Sequence, residues 1–257
     1  MRLIHLSDLH FGALSPGLEA PLAARLRTLS PDLIVVSGDL TQRARRAEFA
    51  AARAFLADLG AEVIAVPGNH DIPLRNPLAR IFWPWRAYDR GWSPVHEPLW
   101  QNDQVVVAGV NTADPWAWKR GRITGHQLDR LAEVFAGAGP RARIVAMHHP
   151  LEHQPDEAQW LMKGATAALR RLPQIGAQIV LSGHIHLSHA GPFSAAPGLI
   201  FVQAGTGLSH RRRAEANAFN LLDLSGNKVA VQTILADEAG GFGTMGPRQE
   251  FALHARP

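Results

Sequence analysis

The sequence predicts an α/β fold in which two β-sheets pack together and helices flank them. Three observations carry that expectation. Short runs rich in Val, Ile and Leu recur along the chain, amphipathic segments separate the earlier ones, and the last third keeps strand-like runs while losing helical periodicity.

The early apolar runs lie at 2–7, 32–37, 62–66, 104–110, 143–147 and 178–181, each bounded by Gly, Pro, Asn or Asp, as expected of buried strands. Segments 18–29, 44–59, 125–135 and 158–172 have helical spacing. This alternation argues for βαβ units and a mainly parallel sheet. Later runs at 190–193, 199–203, 218–224 and 228–234 are joined by turn signals such as Ser225-Gly226-Asn227, which points to a second, largely antiparallel sheet. No linker, repeat or low-complexity tract interrupts the pattern. A single domain over 1–238 is expected, with a glycine-rich, loosely ordered tail over 239–257.

One insertion stands apart. Residues 72–101 hold Phe82, Trp83, Trp85, Trp92 and Trp100 among five prolines, too many for a regular helix throughout. Two readings stand: a surface loop pinned by aromatic anchors, or a lid over a site that begins at His70-Asp71.

The bulk properties exclude several classes. With 257 residues there is ample chain for a packed core. No apolar run approaches the roughly 18 residues that span a bilayer. The start, Met1-Arg2-Leu3-Ile4-His5-Leu6-Ser7-Asp8, reads as a strand and not as a secretory signal, so a cytoplasmic location is the default, with peripheral membrane contact left open. The absence of cysteine rules out disulfides, thiolate nucleophiles and Cys-ligated zinc. The net charge of +4, partly concentrated in Arg43-Ala44-Arg45-Arg46 and Arg211-Arg212-Arg213, suits a small anionic substrate.

The thirteen histidines are informative by position. The first strand runs into Asp8-Leu9-His10, the second into Gly38-Asp39 and the third into Gly68-Asn69-His70-Asp71. Later strands end at His148-His149-Pro150 and Gly183-His184-Ile185-His186. Each fragment alone is common. In an open α/β sheet, however, ligands bind at the carboxyl ends of strands, and five such ends here deliver carboxylate, amide or imidazole to one edge. Nitrogen and oxygen donors without sulfur suit divalent ions such as Mn, Fe or Zn, and seven donors are too many for one four-coordinate ion. They suffice for two, an arrangement able to clamp the attacking and leaving oxygens of a phosphoryl displacement.

These blocks resemble the calcineurin-like metallophosphoesterase family, whose motifs Asp-X-His, Gly-Asp, Gly-Asn-His-Asp/Glu, His and Gly-His-X-His all occur here in order, from Asp8 to His186. The resemblance implies a four-layer α/β/β/α sandwich of two mixed sheets flanked by helices. It also implies that Asp8, His10 and His186 hold one metal, that Asn69, His148 and His184 hold the other, and that Asp39 bridges. A hydroxide between the metals would attack phosphorus. His70 would contact the phosphate and protonate the leaving oxygen, and Asp71 would organise its loop. His5 is expected in the core, His149 beside a ligand, and His96, His126, His153 and His254 on the surface, while His189 has a smaller claim to the site.

Among members of the family, the likeness is greatest to bacterial class III cyclic-nucleotide phosphodiesterases and related small phosphodiesterases. It extends to Ala204-Gly205-Thr206-Gly207, Arg211-Arg212-Arg213 and Asn217-Ala218-Phe219-Asn220, and Arg211 joins Asn69 and His70 as a candidate substrate contact. The expected reaction is hydrolysis of a small phosphodiester. A lipid-linked diphosphate hydrolase or a phosphomonoesterase is the alternative on the same core, and a non-catalytic scaffold is a more distant one. No added nucleic-acid-binding region follows the core, so stable nucleic-acid binding is not expected. The residues leave the metal, the leaving group and the oligomeric state open.

Overall fold

All ten strand-like runs form strands within a few residues of the expected bounds, but they divide between the sheets differently from the sequence reading. In the computed structural model, which describes residues 1–152, 161–211 and 215–254, β1 (Arg2–Leu6), β2 (Leu33–Val36) and β3 (Val63–Ala65) are parallel neighbours. On the other side of β1 the sheet continues with antiparallel β10 (Ala218–Ser225) and β11 (Lys228–Leu235). The second sheet has a parallel centre of β5 (Val105–Gly109), β6 (Ala142–Ala146), β7 (Ile179–Ser182) and β9 (Ala196–Gln203). Antiparallel β4 (Leu99–Gln101) and β8 (His189–Phe193) form its edges.

The six early strands are therefore split three and three, and each half is completed by late strands to give two mixed sheets, as the family resemblance implied, where the runs alone suggested one mainly parallel and one largely antiparallel sheet. Insertion 72–101 carries the chain from β3 in one sheet to β4 in the other. His153, residues 158–160 of the fourth amphipathic segment, Arg212 and Arg213 lie outside the described residues.

The alternation of side chains along each strand explains the layers. Leu3, Leu33 and Val35 face Val107, Ile144 and Leu181 in a core between the sheets. Their neighbours Ile4, Ile34 and Val36 face outward and pack under Leu22 and Leu26 of α1 (Glu19–Leu29) and Phe49 and Leu56 of α2 (Arg46–Ala57). On the other sheet Val106, Val145 and Val180 pack under Leu131 of α5 (Gly125–Ala136) and Leu172 of α6 (Ala165–Gln174). Strands buried on both faces read as continuous apolar runs, which is why they were legible. The start of α5 is set by a capping box: Gln127 N donates to Thr124 Oγ1, and Gln127 Oε1 accepts from Thr124 N.

Two further expectations are corrected. The tail is not loose through its length, because β12 (Thr244–Met245) and β13 (Gln249–Ala252) both pair with β11, with Phe242 and Leu253 buried beside them. The insertion contains two short helices, α3 (Pro77–Phe82) and α4 (Arg86–Gly91). Its buried anchor is Tyr88, whose hydroxyl donates to Ala65 O at 3.1 Å and whose ring meets Phe49 edge-on. Phe82 and Trp83 are exposed. Among the described residues no helix is long and apolar enough to cross a membrane.

Candidate metal centre

The carboxyl ends of β1, β2 and β3 from one sheet and of β6 and β7 from the other open on a shared edge. His148 Nδ1, following β6, donates across the sheet boundary to Ser37 O, following β2, at 2.8 Å. Asp8, His10, Asp39, Asn69, His70, His148, His184 and His186 are brought together there.

The backbone bends sharply to achieve this. Asp8, His10, Asp39, His184 and His186 all have positive φ, between 49° and 73°. That region costs a non-glycine residue roughly 1–2 kcal/mol, and such strain concentrates where the surrounding structure imposes it for function. The left-handed turns let both members of Asp8-Leu9-His10 aim at one donor group, and let His184 and His186 each reach a different one. Glycine is required beside them by close approach. A Cβ on Gly183 would collide with Ser7 Oγ, and one on Gly68 with Asp39 Oδ1.

The donor atoms form two groups. His186 Nε2 lies 3.0 Å and His10 Nε2 3.5 Å from Asp8 Oδ1. In the other group His148 Nε2 lies 3.2 Å from Asn69 Oδ1 and 3.3 Å from His184 Nδ1. Between them stands Asp39 Oδ2, 3.7 Å from His10 Nε2 and 3.4 Å from His148 Nε2.

Hydrogen bonding leaves the inward atoms free. Asp8 Oδ2 accepts from Ser7 Oγ at 2.6 Å and from His184 N at 2.9 Å, whereas the buried Oδ1 has no hydrogen-bond donor. Asp39 Oδ1 accepts from His70 N at 2.8 Å, which leaves Oδ2 facing the imidazoles. His148 and His186 point their Nδ1 atoms at the carbonyls of Ser37 and Arg211, so that tautomer turns both Nε2 lone pairs inward. Carboxylate oxygens and imidazole lone pairs facing one another at these distances fit divalent cations with nitrogen and oxygen ligands.

Charge is balanced only locally. Burial by itself would push the Asp8 and Asp39 carboxyls up, but the imidazoles of His186 and His148 respectively hold them well below the usual carboxylate range. Burial would lower His148, yet Asp39 raises it to about 9, so a proton would have to leave its Nε2 before that lone pair could serve as a ligand. Burial and the neighbouring His148 push His184 down to about 3.

The supporting residues fall into place around this core. Asp71 accepts from Leu40 N, Thr41 N, Thr41 Oγ1 and Gly68 N, and so ties the third strand's loop to the second's. Burial and nearby Asp39 push its carboxyl up to about 7. His5 is buried against Ser37 Oγ at 2.8 Å. His149 packs beside His184 with Nδ1 2.9 Å from Thr112 Oγ1. His189 stacks on Phe201 and does not line the cleft.

Arg211 does reach the site. Its Nη1 lies 3.0 Å from His70 Nε2 and 3.3 Å from Gln42 Oε1, while His70 Nδ1 faces Gln42 O at 2.9 Å. Those partners make Nδ1 the protonated nitrogen and Nε2 the acceptor from Arg211. With burial first and the guanidinium adding to it, the His70 imidazole is held below its ordinary pKa. A second cation, Lys119, lines the same cleft of about 200 Å3. Sequence reasoning missed it, because it follows an irregular loop instead of a strand end. No described residue from 72–101 lines this cleft.

The family model for calcineurin-like phosphoesterases matches residues 1–188. The chain belongs to that family. This phosphoesterase chain is 31% identical over 217 residues to a cAMP/cGMP dual specificity phosphodiesterase of Mycobacterium tuberculosis, covering 76% of this chain and 64% of the relative. It is 35% identical over 166 residues to a glycerophosphodiester phosphodiesterase of Enterobacter lignolyticus, covering 58% of this chain and 57% of the relative. The chain thus spans about three fifths of the length of these curated relatives. Among solved structures, a dimetal phosphatase from Danio rerio aligns over 99% of both chains with a TM-score of 0.71 at 13% identity, a likeness of fold.

Proposed function

We propose that the chain is a dinuclear-metal phosphodiesterase acting on a small phosphodiester such as a 3',5'-cyclic nucleotide or a glycerophosphodiester. The observation that supports this reading is Asp39 Oδ2, which lies 3.7 Å from His10 Nε2 and 3.4 Å from His148 Nε2, within reach of both donor groups. Asp8, His10 and His186 would hold one ion, and Asn69, His148 and His184 the other, with Asp39 common to both. Two divalent ions supply Lewis acidity and a water activated near neutral pH.

The chain's own contribution is binding and orientation. Arg211 offers its guanidinium to a phosphate oxygen, a charge-assisted contact, and His70 braces that guanidinium from behind. Lys119 offers a second positive charge at the cleft wall. A cleft of this size accepts the phosphoryl group while the two ester substituents extend outward. Leaving-group protonation by His70 would require a second ring proton, taken up from solvent on Nε2 once Arg211 has turned from that atom to the substrate, and passed from there to the leaving oxygen.

Two features support a diester over the lipid-linked alternative. The curated relatives named above are phosphodiesterases by their names. Residues Phe82 and Trp83 of the insertion are turned to solvent instead of enclosing a tunnel for an acyl chain. The test is a hydrolysis screen of metal-reconstituted protein against cyclic nucleotides, glycerophosphodiesters, UDP-diacylglucosamine and matching monoesters. The reading expects a diester to be cleaved fastest; a monoester or lipid diphosphate cleaved faster than every diester would overturn it.

A further inference from the structure

Away from the metal centre, the insertion and a neighbouring loop expose an apolar surface with no structural role in the core. Leu78 is 66% exposed, Phe82 64% and Trp83 59%, while Trp116 and Trp118 are 75% and 55% exposed. They are held close to one another. Buried Arg80 of α3 donates to the carbonyls of Asp114, Pro115 and Ala117, and its guanidinium lies 5.1 Å from the Trp118 ring centroid. Phe82 and Trp83 touch ring to ring. Arg80 therefore ties the loop that carries Trp116 and Trp118 to the short helix that ends at Phe82.

Beside that surface, and sharing Trp83 with it, runs a groove of about 540 Å3. Its lining combines apolar Trp83, Pro73 and Ala79 with cationic Arg46, Arg86 and Arg90. Among the described residues none of these three guanidinium groups has a carboxylate partner. An indole body next to unneutralised cations suits the boundary between acyl chains and anionic headgroups, where tryptophan and arginine each satisfy both of their halves.

We propose that this face docks on a bilayer containing anionic phospholipid, with Phe82, Trp83 and Trp116 entering the interface and Arg46, Arg86 and Arg90 meeting phosphate headgroups. The charge complementarity of the groove selects this occupant over an apolar protein partner, which would leave three cations buried without counter-charge. Docking in this manner does not depend on the metal centre or on any substrate.

Vesicle flotation tests it directly, using the intact metal-loaded protein with vesicles of phosphatidylcholine alone or of equal parts phosphatidylcholine and phosphatidylglycerol. The protein is expected to float with the anionic vesicles and to release them at high salt. Arg86→Glu/Arg90→Glu and, separately, Phe82→Ser/Trp83→Ser are each expected to lower the partition coefficient at least about tenfold, with unchanged melting temperatures. Quenching of the unmodified protein's tryptophan fluorescence by brominated phosphatidylglycerol is expected as well, and needs no substitution. Absence of flotation and quenching would overturn the proposal. Binding that survives loss of both aromatic side chains would do so too, reducing it to general attraction of a cationic protein. Self-association in sedimentation that depends on Phe82 and Trp83, without vesicle binding, would assign the face to a second copy of this chain instead.

Discussion

Arg211 and His70 meet across the cleft, Nη1 to Nε2 at 3.0 Å, although 141 residues separate them. One side chain comes from the loop after β3, and the other from the loop after Ser209. The guanidinium is thereby held in place before substrate arrives. Arg211→Ala is expected to raise KM more than it lowers kcat, because a phosphate contact of this type binds ground and transition states alike. His70→Ala is expected to lower kcat roughly a hundredfold, with metal content near that of the unaltered protein. In a double-mutant cycle the two changes should be non-additive, since removing His70 also frees Arg211. Strict additivity, or loss of a metal in the His70 variant, would contradict this division of roles.

Asp39→Ala should remove the oxygen shared by the two donor groups. Elemental analysis after reconstitution with saturating Mn is expected to find two ions in the unaltered protein and a reduced content at both sites in the variant. Loss confined to one site would show that Asp39 belongs to a single ion.

Gly183→Ala places a methyl group against Ser7 Oγ and near Asp8 Oδ2. Overpacking of this type costs about 1–3 kcal/mol. Displacement of Asp8 should also weaken metal binding, a second effect that a purely structural glycine would not produce. Calorimetric unfolding and metal titration of the same sample separate the two. The double change Ser7→Gly with Gly183→Ala should recover part of the stability, because it deletes the colliding hydroxyl.

Asp71→Ala removes the acceptor of four donors from Leu40, Thr41 and Gly68. Leaving buried donors without partners costs about 1–3 kcal/mol for each group that water cannot reach. Thermal unfolding should therefore shift down markedly even without metal. Asp71→Asn, which keeps the shape but replaces one acceptor with a donor, should lie between the two. A variant as stable as the unaltered protein would remove Asp71 from its bracing role.

Ten of the strands, most helices and the members of the motif set were legible because their signals are local. A strand buried on both faces must be apolar throughout, and the donors Asp39, Asn69 and His184 each directly follow a glycine. Gly68 and Gly183 show the reason in contact terms, since any Cβ there would strike Asp39 or Ser7. The sequence by itself also determined the chemistry on offer, oxygen and nitrogen donors without sulfur.

Strand pairing was decided only in three dimensions. β3 and β5 have equally apolar faces, so nothing local says that one lies in the sheet with β10 and the other in the sheet with β9. The same holds for residues that reach the site from irregular backbone. Lys119 carries no pattern, and Arg211 is placed by backbone contacts with Ser209 Oγ and the His186 imidazole that no local signal announces. The tail residues from Thr244 to Ala252 became strands because β11 offered them an unpaired edge. Local spacing thus determined which residues could act as ligands, whereas long-range pairing decided which charges stand opposite them.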